Sequence, residues 1–300
     1  MRVGVDIGGT KTEGVAIDDD GTIRGHVRLQ TGFGAAAVIS SALTAVDRLA
    51  DDAGISRSEF STVGIGIPGT VDSAAGVVTH AINLGVERLD LGVELSDALG
   101  ARARIENDVN AAAVGTFQLL GLPEGSSLGY LGLGTGLAAG LVLGGELWRG
   151  SRGTAGEIGH ILVDPNGPLD LDGQRGGLEV LASGSGIARQ WGTGEEHPVI
   201  GMLEAAAAGD ARALGIRRGL FEGVANAVRI LVLTVDVDVV VIGGGISGLG
   251  QSLSAGVGEV FHSWAARSPF IDSLDLPGRI RILPPGSPVA AIGAAHLGGK

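Results

Sequence analysis

The first eighteen residues, MRVGVDIGGTKTEGVAID (1–18), decide the fold. An apolar run that carries Asp6 leads into the glycine loop Gly8-Gly9-Thr10-Lys11, and a second apolar run, Val15-Ala16-Ile17, follows it. This pattern predicts a strand, a tight loop and a returning strand, in which the loop lets a ligand approach its backbone N–H groups. A further strand is expected to complete a three-stranded meander over residues 3–29.

Lys11 suggests what this loop binds. The chain contains 21 Lys and Arg residues, and Lys11 and the terminal Lys300 are its only lysines. A compact ammonium beside free backbone N–H groups suits a phosphate. The alternative is an ordinary hairpin turn with a lysine that has no ligand. The convergence of Asp6, two glycines and two threonines on one turn favours the phosphate site.

Composition restricts the class of protein. At 300 residues and 44% apolar content, the chain is long enough for one large domain or two of ordinary size. A net charge of −12 argues against nucleic-acid and anionic-membrane partners, which both prefer a basic face. Without cysteine there are no disulfides and no thiolate metal sites. The chain enters a strand at once and carries no apolar run of membrane-spanning length, so we expect a cytoplasmic protein.

Strand and helix patterns alternate along the chain, which predicts an α/β fold. Residues 128–149 repeat the strand, glycine loop and strands of residues 3–29, which indicates two related α/β halves that face a cleft. We expect a small N-terminal domain at 1–108, joined by a C-terminal helix at about 289–300, and a large domain at 109–288. Further helices are expected at 35–53, 94–99 and 109–120, and strands at 63–67, 104–106 and 237–242.

Two more glycine loops follow predicted strands. Gly134-Thr135-Gly136 stands in the second half where Gly8-Gly9-Thr10 stands in the first, so the pair predicts a grip on a triphosphate from both sides. Neither loop is a Walker A motif. Gly243-Gly244-Gly245 opens a G-x-G-x-x-G match, and a further match begins at Gly64. A dinucleotide-dependent oxidoreductase therefore stays a minor alternative, although little chain follows Gly243 and Pro68 interrupts the other match.

Acidic and amide side chains cluster in three further segments. Glu106-Asn107-Asp108-Val109-Asn110 lies between a strand and a helix, where Asp108 either reaches a cleft or caps the helix. Glu157 and His160 stand among glycines, in a catalytic loop or an ordinary surface loop. Glu179 begins a helical stretch, where the helix dipole alone would favour an acid.

Together these segments resemble the ROK family of sugar kinases, part of the actin-like and hexokinase-like superfamily. The resemblance covers nearly the whole chain and keeps the order of the family's motifs. It implies two actin-like, ribonuclease H-like domains with mixed β-sheets flanked by helices and a cleft between them. The matching segments are DIGGTKT (6–12), GIGIPG (64–69), NDVNAAA (107–113), GLGTG (132–136), GTAGEIGH (153–160) and GGG (243–245).

The resemblance implies an ATP-dependent hexokinase that phosphorylates the 6-hydroxyl of glucose or a related hexose such as mannose or fructose. Asp108 would be the general base, and Mg²⁺ would bridge the ATP phosphates near Asp6, directly or through water. A homodimer or homotetramer is expected. Inorganic polyphosphate as donor, and a sugar-sensing regulator without catalysis, stay open. The implied sugar ligands are Asn83, Asn107, Glu157, His160 and Glu179, and the implied ATP-binding residues are Gly8, Gly9, Thr10, Lys11, Gly134, Thr135, Gly136, Gly243, Gly244 and Gly245.

One segment departs from the family pattern. Many relatives hold a structural zinc with a histidine and three cysteines, and here the cysteine positions carry Asp170, Asp172 and Gly177. A histidine with two aspartates is an incomplete set for zinc, so no structural zinc is predicted. We expect the second ring nitrogen of His160 to bond to Asp170 or Asp172 instead.

Overall fold

The computed structural model describes residues 1–299. Its elements alternate as the sequence predicts. The strands are β1 (Arg2–Ile7), β2 (Lys11–Ile17), β3 (Ile23–Gln30), β4 (Thr62–Ile67), β5 (Thr70–Asp72), β6 (Val77–Ala81), β7 (Val86–Leu89), β8 (Ala103–Asn107), β9 (Leu128–Leu133), β10 (Leu137–Leu143), β11 (Glu146–Leu147), β12 (Val239–Gly243) and β13 (Ile280–Ile282). The helices are α1 (Ala35–Ala53), α2 (Leu91–Leu99), α3 (Asp108–Leu119), α4 (Leu178–Ala182), α5 (Gly184–Trp191), α6 (Pro198–Ala207), α7 (Ala211–Val235), α8 (Gln251–Ala265), α9 (Pro269–Ser273) and α10 (Val289–Gly298).

The first sheet contains the predicted meander and two added parallel strands. Its order is β3-β2-β1-β4-β8. The turn between β1 and β2 aligns Ile7 with Thr12, and β1 and β4 pair in parallel with Asp6 opposite Gly66. β8 continues the parallel part with Glu106 opposite Gly66. Because parallel strands end at one edge, the polar residues after them are gathered there.

The second large sheet has the order β11-β10-β9-β12-β13, which repeats the pattern of the first. β12 pairs in parallel with both β9 and β13. A small antiparallel sheet, β5-β6-β7, follows β4. The repeat at 128–149 and the mixed α/β fold class are therefore confirmed.

The chain divides into two compact units. One contains Met1–Glu124, Gly140–Thr154 and the segment from Pro288 onward, and the other contains Gly125–Ala139 and Ala155–Ser287. The domain boundaries expected from the sequence stay a prediction. Across residues 1–299, no helix combines the length and apolar character that crossing a membrane requires.

Helix α1 covers one face of the first sheet. Its buried side chains, among them Val38, Ala42 and Leu49, recur at helical spacing and join the core with the strands. Gly54 ends the helix in the left-handed region, with φ 66°, as its place after the apolar pattern predicts. Helix α2 begins at Leu91, three residues before the expected start, because Leu91 is already buried in the same core.

Helix α10 packs against strand β4 and helix α3, and glycines allow the close approach. A Cβ on Gly64 of β4 would lie 1.8 Å from the carbonyl oxygen of Ala294. A Cβ on Gly115 of α3 would lie 1.8 Å from that of Val289, and one on Gly293 would lie 1.7 Å from that of Ala111. The backbones of α3 and α10 are therefore in direct contact, which leaves no room for a side chain.

Candidate active site

The turn between β1 and β2 is exposed and held by few bonds. Gly8 donates its N–H to the carbonyl of Lys11 at 2.9 Å, and Thr31 donates to the carbonyl of Thr10 at 3.1 Å. Among residues 1–299, the N–H groups of Gly9 and Thr10 donate to no protein acceptor. The loop thus offers two backbone donors beside the exposed Lys11, an arrangement that suits an anion.

Asn83 lies against this loop. It is exposed in the middle of a short 3₁₀ helix, Ile82–Leu84. A Cβ on Gly9 would lie 3.3 Å from the Cβ of Asn83. A side chain on Gly9 would therefore make a tight contact with Asn83, and two segments about 70 residues apart in the sequence meet at one place.

The Asp6 carboxylate is buried and lies near other negative charges. Its Oδ1 is buried without a hydrogen-bond partner, and a Cβ on Gly66 would lie 3.4 Å from that oxygen and 3.7 Å from the Cα of Asp108. Burial raises the pKa of Asp6 well above its usual 3.8, and the negative charges of Asp108 and Glu13 add to the shift. Asp6 and Asp108 therefore both lie next to Gly66, close enough for their charges to interact.

Asn107, and not Asp108, is the N-cap of helix α3. Its Oδ1 accepts the N–H groups of Val109 at 3.0 Å and Asn110 at 3.1 Å, and its Nδ2 donates to the carbonyl of Gly69 at 3.3 Å. Asp108 is the first helical residue, and its Oδ1 accepts the N–H of Val109 at 2.9 Å. The alternative in which Asp108 caps this helix is therefore wrong. Asn107, the residue before it, already accepts the free N–H groups at the start of the helix.

Glu106, one residue earlier, is buried and bonded on both oxygens. Oε1 accepts from the N–H of Asn107 and from Nδ2 of Asn110, both at 3.0 Å. Oε2 accepts from Arg149, whose Nη2 lies 2.6 Å away. Sequence reasoning assigned Glu106 no separate role and overlooked Arg149, since no local signal joins residues 43 positions apart. Strand β8, ARIEN, is polar at three of its five positions, so its sequence does not mark Glu106 as the carboxylate that needs a buried partner.

In the other unit, Gly134–Gly136 is bonded to the start of helix α5. The N–H groups of Gly184 and Ser185 donate to the carbonyls of Gly134 at 2.8 Å and Thr135 at 3.1 Å. Oε2 of Glu179 accepts the N–H of Leu137 at 2.9 Å. Glu179 therefore lies against the predicted phosphate loop, in the first turn of α4 as the spacing predicts.

Glu157 and His160 are exposed around a 3₁₀ helix, Ile158–His160. Gly156 precedes them with φ 98°, and a Cβ there would lie 1.8 Å from the carbonyl oxygen of Ala139. A Cβ on Gly159 would lie 3.2 Å from the Cβ of Glu179. Glycines thus bring this loop close to Glu179 and to strand β10, so that the three predicted sugar ligands of this unit belong to neighbouring segments.

The expected bond from His160 to Asp170 or Asp172 is absent among the residues described. Oδ1 of Asp170 instead accepts the N–H groups of Asp172 at 2.9 Å and Gln174 at 2.7 Å. The aspartate closes its own turn, a contact that local geometry favours over a distant ring. Within residues 1–299, histidine, aspartate and glutamate side chains form no cluster of three or more suited to a metal ion.

Gly243–Gly245 lies beside the second predicted phosphate loop, Gly134–Gly136. A Cβ on Gly244, with φ 83°, would lie 2.5 Å from the carbonyl oxygen of Leu133, the residue before Gly134. A short 3₁₀ helix, Gly245–Leu249, follows, where a dinucleotide motif requires the start of an α-helix. The match at Gly64 is followed by strand β5. Both contexts differ from the dinucleotide fold. In each motif at least one glycine serves close backbone packing, Gly64 against Ala294 and Gly244 against Leu133.

The chain is similar to known proteins along nearly its whole length. The ROK family model matches residues 2–297. A glucokinase from Halalkalibacterium halodurans is 30% identical over 282 residues, which are 88% of this chain and 86% of that protein. The ROK hexokinase from Thermus thermophilus has a TM-score of 0.83 at 30% identity, with 98% of this chain and 96% of that chain covered.

A second similar structure was solved with bound ligands. The ROK family glucokinase from Streptomyces griseus, in complex with glucose and AMPPNP, has a TM-score of 0.77 at 28% identity and covers 99% of each chain. The strand order, the glycine loops and the segment at Asn107–Asp108 thus occur in a chain whose full length matches sugar kinases. From its first strand to its last helix, the protein belongs to the ROK family, and it is a sugar kinase.

Proposed function

We propose that this protein transfers the γ-phosphoryl group of ATP to the 6-hydroxyl of glucose or a closely related hexose, with Asp108 as the general base. The observation that carries the proposal is the position of Asp108. It opens helix α3, where the positive end of the helix dipole favours an anion. It directly follows strand β8, and its charge acts on Asp6, near the end of strand β1. The known kinase relatives and the complex with AMPPNP support ATP as donor.

In this reaction Asp108 accepts the proton of the 6-hydroxyl while the hydroxyl oxygen forms its bond to the γ-phosphorus. The bond between that phosphorus and the bridging oxygen breaks, and ADP leaves. Phosphoryl transfer depends mainly on positioning and on stabilisation of charge, so the base acts chiefly by holding the hydroxyl in line. Oδ1 of Asp108 accepts the N–H of Val109, which restricts the rotation that would misplace it.

The hexose would be bound by side chains that offer its hydroxyls both hydrogen-bond donors and hydrogen-bond acceptors. Asn107 uses its oxygen as a helix cap, so only its Nδ2 can bond to a sugar, as a donor. Glu179 uses Oε2 for a backbone N–H and keeps Oε1 as an acceptor. Exposed Asn83, Glu157 and His160 complete the proposed set. Donors and acceptors in fixed positions discriminate hexoses that differ in one hydroxyl.

The phosphates would be held by backbone N–H groups and by Lys11. Gly8, Gly9 and Thr10 form one loop, and Gly134, Thr135 and Gly136 form the other, with Gly243, Gly244 and Gly245 toward the nucleoside. The absence of side chains at the glycines lets an anion approach the N–H groups closely.

The residues also fit Mg²⁺. The buried Oδ1 of Asp6 has no hydrogen-bond partner and offers a hard oxygen, and Mg²⁺ typically takes one or two carboxylates besides water and phosphate oxygens. Asp6 would hold the ion directly or through water, near Asp108. When bound, Mg²⁺ supplies positive charge that neutralises the β- and γ-phosphate oxygens.

A direct assay tests the proposed function. Purified protein is incubated with Mg²⁺, one of several hexoses, and either ATP or inorganic polyphosphate, and the sugar 6-phosphate is measured. Glucose, mannose, fructose, allose, N-acetylglucosamine and N-acetylmannosamine form the panel. We expect turnover with ATP and glucose or a close relative. Product from polyphosphate alone would contradict ATP as donor, and absence of product from all of them would contradict the kinase proposal.

Replacement of Lys11 by alanine is expected to raise the KM for ATP by about one to two orders of magnitude, because a charged phosphate contact contributes roughly 1.5–3 kcal/mol. Lys11→Arg serves as the matched control, since it keeps the charge, and it should retain most of the affinity. Steady-state kinetics with varied ATP and varied hexose separate the two substrates. An effect confined to the KM for the hexose would mean that Lys11 does not bind phosphate.

Replacement of Asp6 by asparagine is expected to stabilise the ligand-free protein and to weaken its response to Mg²⁺. The pKa of Asp6 is raised above 3.8, so the folded state binds this proton more tightly than the unfolded state does. Its contribution to stability is complete below 3.8 and is lost as pH rises through the raised pKa. The difference in Tm between Asp6→Asn and wild type should therefore grow as pH rises from 3.8 through the raised pKa.

Thermal melts across pH measure the first effect, and turnover at varied Mg²⁺ measures the second. Exposed Asp52, changed to asparagine, is the control and should alter neither. A Tm difference that shrinks as pH rises, or an unchanged Mg²⁺ requirement, would contradict the role given to Asp6.

A further inference from the structure

Arg149 is the ionic partner of Glu106, from a segment far along the chain. It follows strand β11 and places Nε 2.8 Å and Nη2 2.6 Å from Oε2 of Glu106. Ser73 adds a hydroxyl bond to the same oxygen at 3.2 Å. The Glu106 side chain is 5% exposed and that of Arg149 is 39% exposed. A carboxylate so buried needs a paired cation, and Arg149 supplies it.

The other oxygen of Glu106, Oε1, bonds to residues that come before and after the proposed base Asp108 in the chain. Oε1 accepts the N–H of Asn107 and Nδ2 of Asn110, both at 3.0 Å. Asn107 in turn accepts the N–H groups of Val109 and Asn110. Asp108 therefore stands between two residues that one carboxylate holds.

We propose that Arg149 is a positioning residue for phosphoryl transfer, which acts through Glu106 to hold Asn107 and Asp108 in their reactive orientation. The inference rests on the proposed function, since it takes Asp108 as the base. Removal of Arg149 leaves the buried Glu106 charge without its cation. Glu106 then turns toward solvent or toward another cation, and its Oε1 releases Asn107 and Asn110. A displacement of about 1 Å at a reacting group can cost about 100-fold in rate.

The expected effect falls on kcat. Within residues 1–299, neither Glu106 nor Arg149 bonds to the glycine loops proposed for ATP. The KM for ATP should therefore stay within about threefold of wild type, while kcat falls about 10- to 100-fold in Arg149→Ala. A merely structural role would lower the amount of folded enzyme without this selective loss.

A cavity of about 380 Å³ permits a sharper test. Arg149, Glu106 and Arg104 all line it, so a guanidinium ion can enter where the side chain of Arg149→Ala is missing. Guanidinium chloride at millimolar, non-denaturing concentration should restore kcat of Arg149→Ala severalfold. Arg104→Ala is the matched control, because Arg104 lines the same cavity and has no bond to Glu106. It should keep the kcat of wild type and show no response to guanidinium.

Wild-type kcat in Arg149→Ala, or a loss that guanidinium leaves unchanged, would overturn the proposal. If Arg149→Ala does not fold, Arg149→Lys decides, because its ammonium can give Oε2 of Glu106 one hydrogen bond where the guanidinium gives two. Its kcat should fall severalfold with an unchanged unfolding midpoint, and a wild-type kcat would overturn the role. Wild-type protein without hexose phosphorylation contradicts the proposed function itself, whereas active wild type with unchanged Arg149 variants contradicts only this inference.

Discussion

Replacement of Asp108 by asparagine should lower kcat by about 100- to 10,000-fold, the usual contribution of a general base, while the protein still binds its hexose. The amide cannot take the proton of the attacking hydroxyl. It keeps the size of the side chain and an oxygen that can accept the N–H of Val109, as Oδ1 of Asp108 does. The loss should therefore be confined to the chemical step.

The fold should tolerate this change because Asn107 caps the helix independently. The free energy of unfolding is expected to stay within about 1 kcal/mol of wild type. Calorimetry gives the hexose affinity, and single-turnover kinetics give the rate of phosphoryl transfer. Asp52→Asn, an exposed change of the same chemistry, should leave both unaltered. Near-wild-type turnover in Asp108→Asn would contradict the assignment of the base.

Replacement of Gly115 by alanine should be the most destabilising of these changes. The added Cβ would lie 1.8 Å from the carbonyl oxygen of Val289 and 2.7 Å from the N of Gly293, so helices α3 and α10 must separate. Overpacking of this kind costs up to about 3 kcal/mol, and here the obstructing atoms are backbone, which cannot rotate away. Since α3 begins at Asp108, the shift should also lower kcat.

Gly215→Ala in helix α7 is the matched control. Gly215 is also inside a helix, but nothing lies within 4 Å of a Cβ built there. Alanine should stabilise that helix by up to about 1 kcal/mol, because glycine is the poorer helix former. Denaturant unfolding of both variants measures the difference. Equal free energies of unfolding would show that α3 and α10 are not packed as closely as described.

Local pattern was sufficient for much of the fold. The meander at 3–29, its repeat at 128–149 and the α1 helix ending at Gly54 all follow from apolar spacing and glycine placement. These features depend on neighbours within a few residues, which a sequence displays directly. The start of α2 was missed because burial of Leu91, a tertiary effect, extends that helix.

In the candidate site, too, local patterns predicted some features and the tertiary structure decided others. The sequence pointed to Asp108, Asn107 and the loops, because those segments sit at the ends of recognisable strands. It did not distinguish which residue caps α3, and it predicted a bond from His160 to the aspartates that the structure lacks. Competing hydrogen bonds within a turn decided both outcomes, and their geometry depends on the folded backbone.

What the sequence by itself determined is the ROK family, the order of strands and helices, and the loops that an anion can approach, since each is encoded in contiguous residues. What only the tertiary structure decided is the environment of the acids. The raised pKa of Asp6 comes from burial and from Asp108, about a hundred residues away, and Glu106 finds its cation at Arg149. Burial and charge pairing join residues that are distant in the sequence, so no local pattern can encode them.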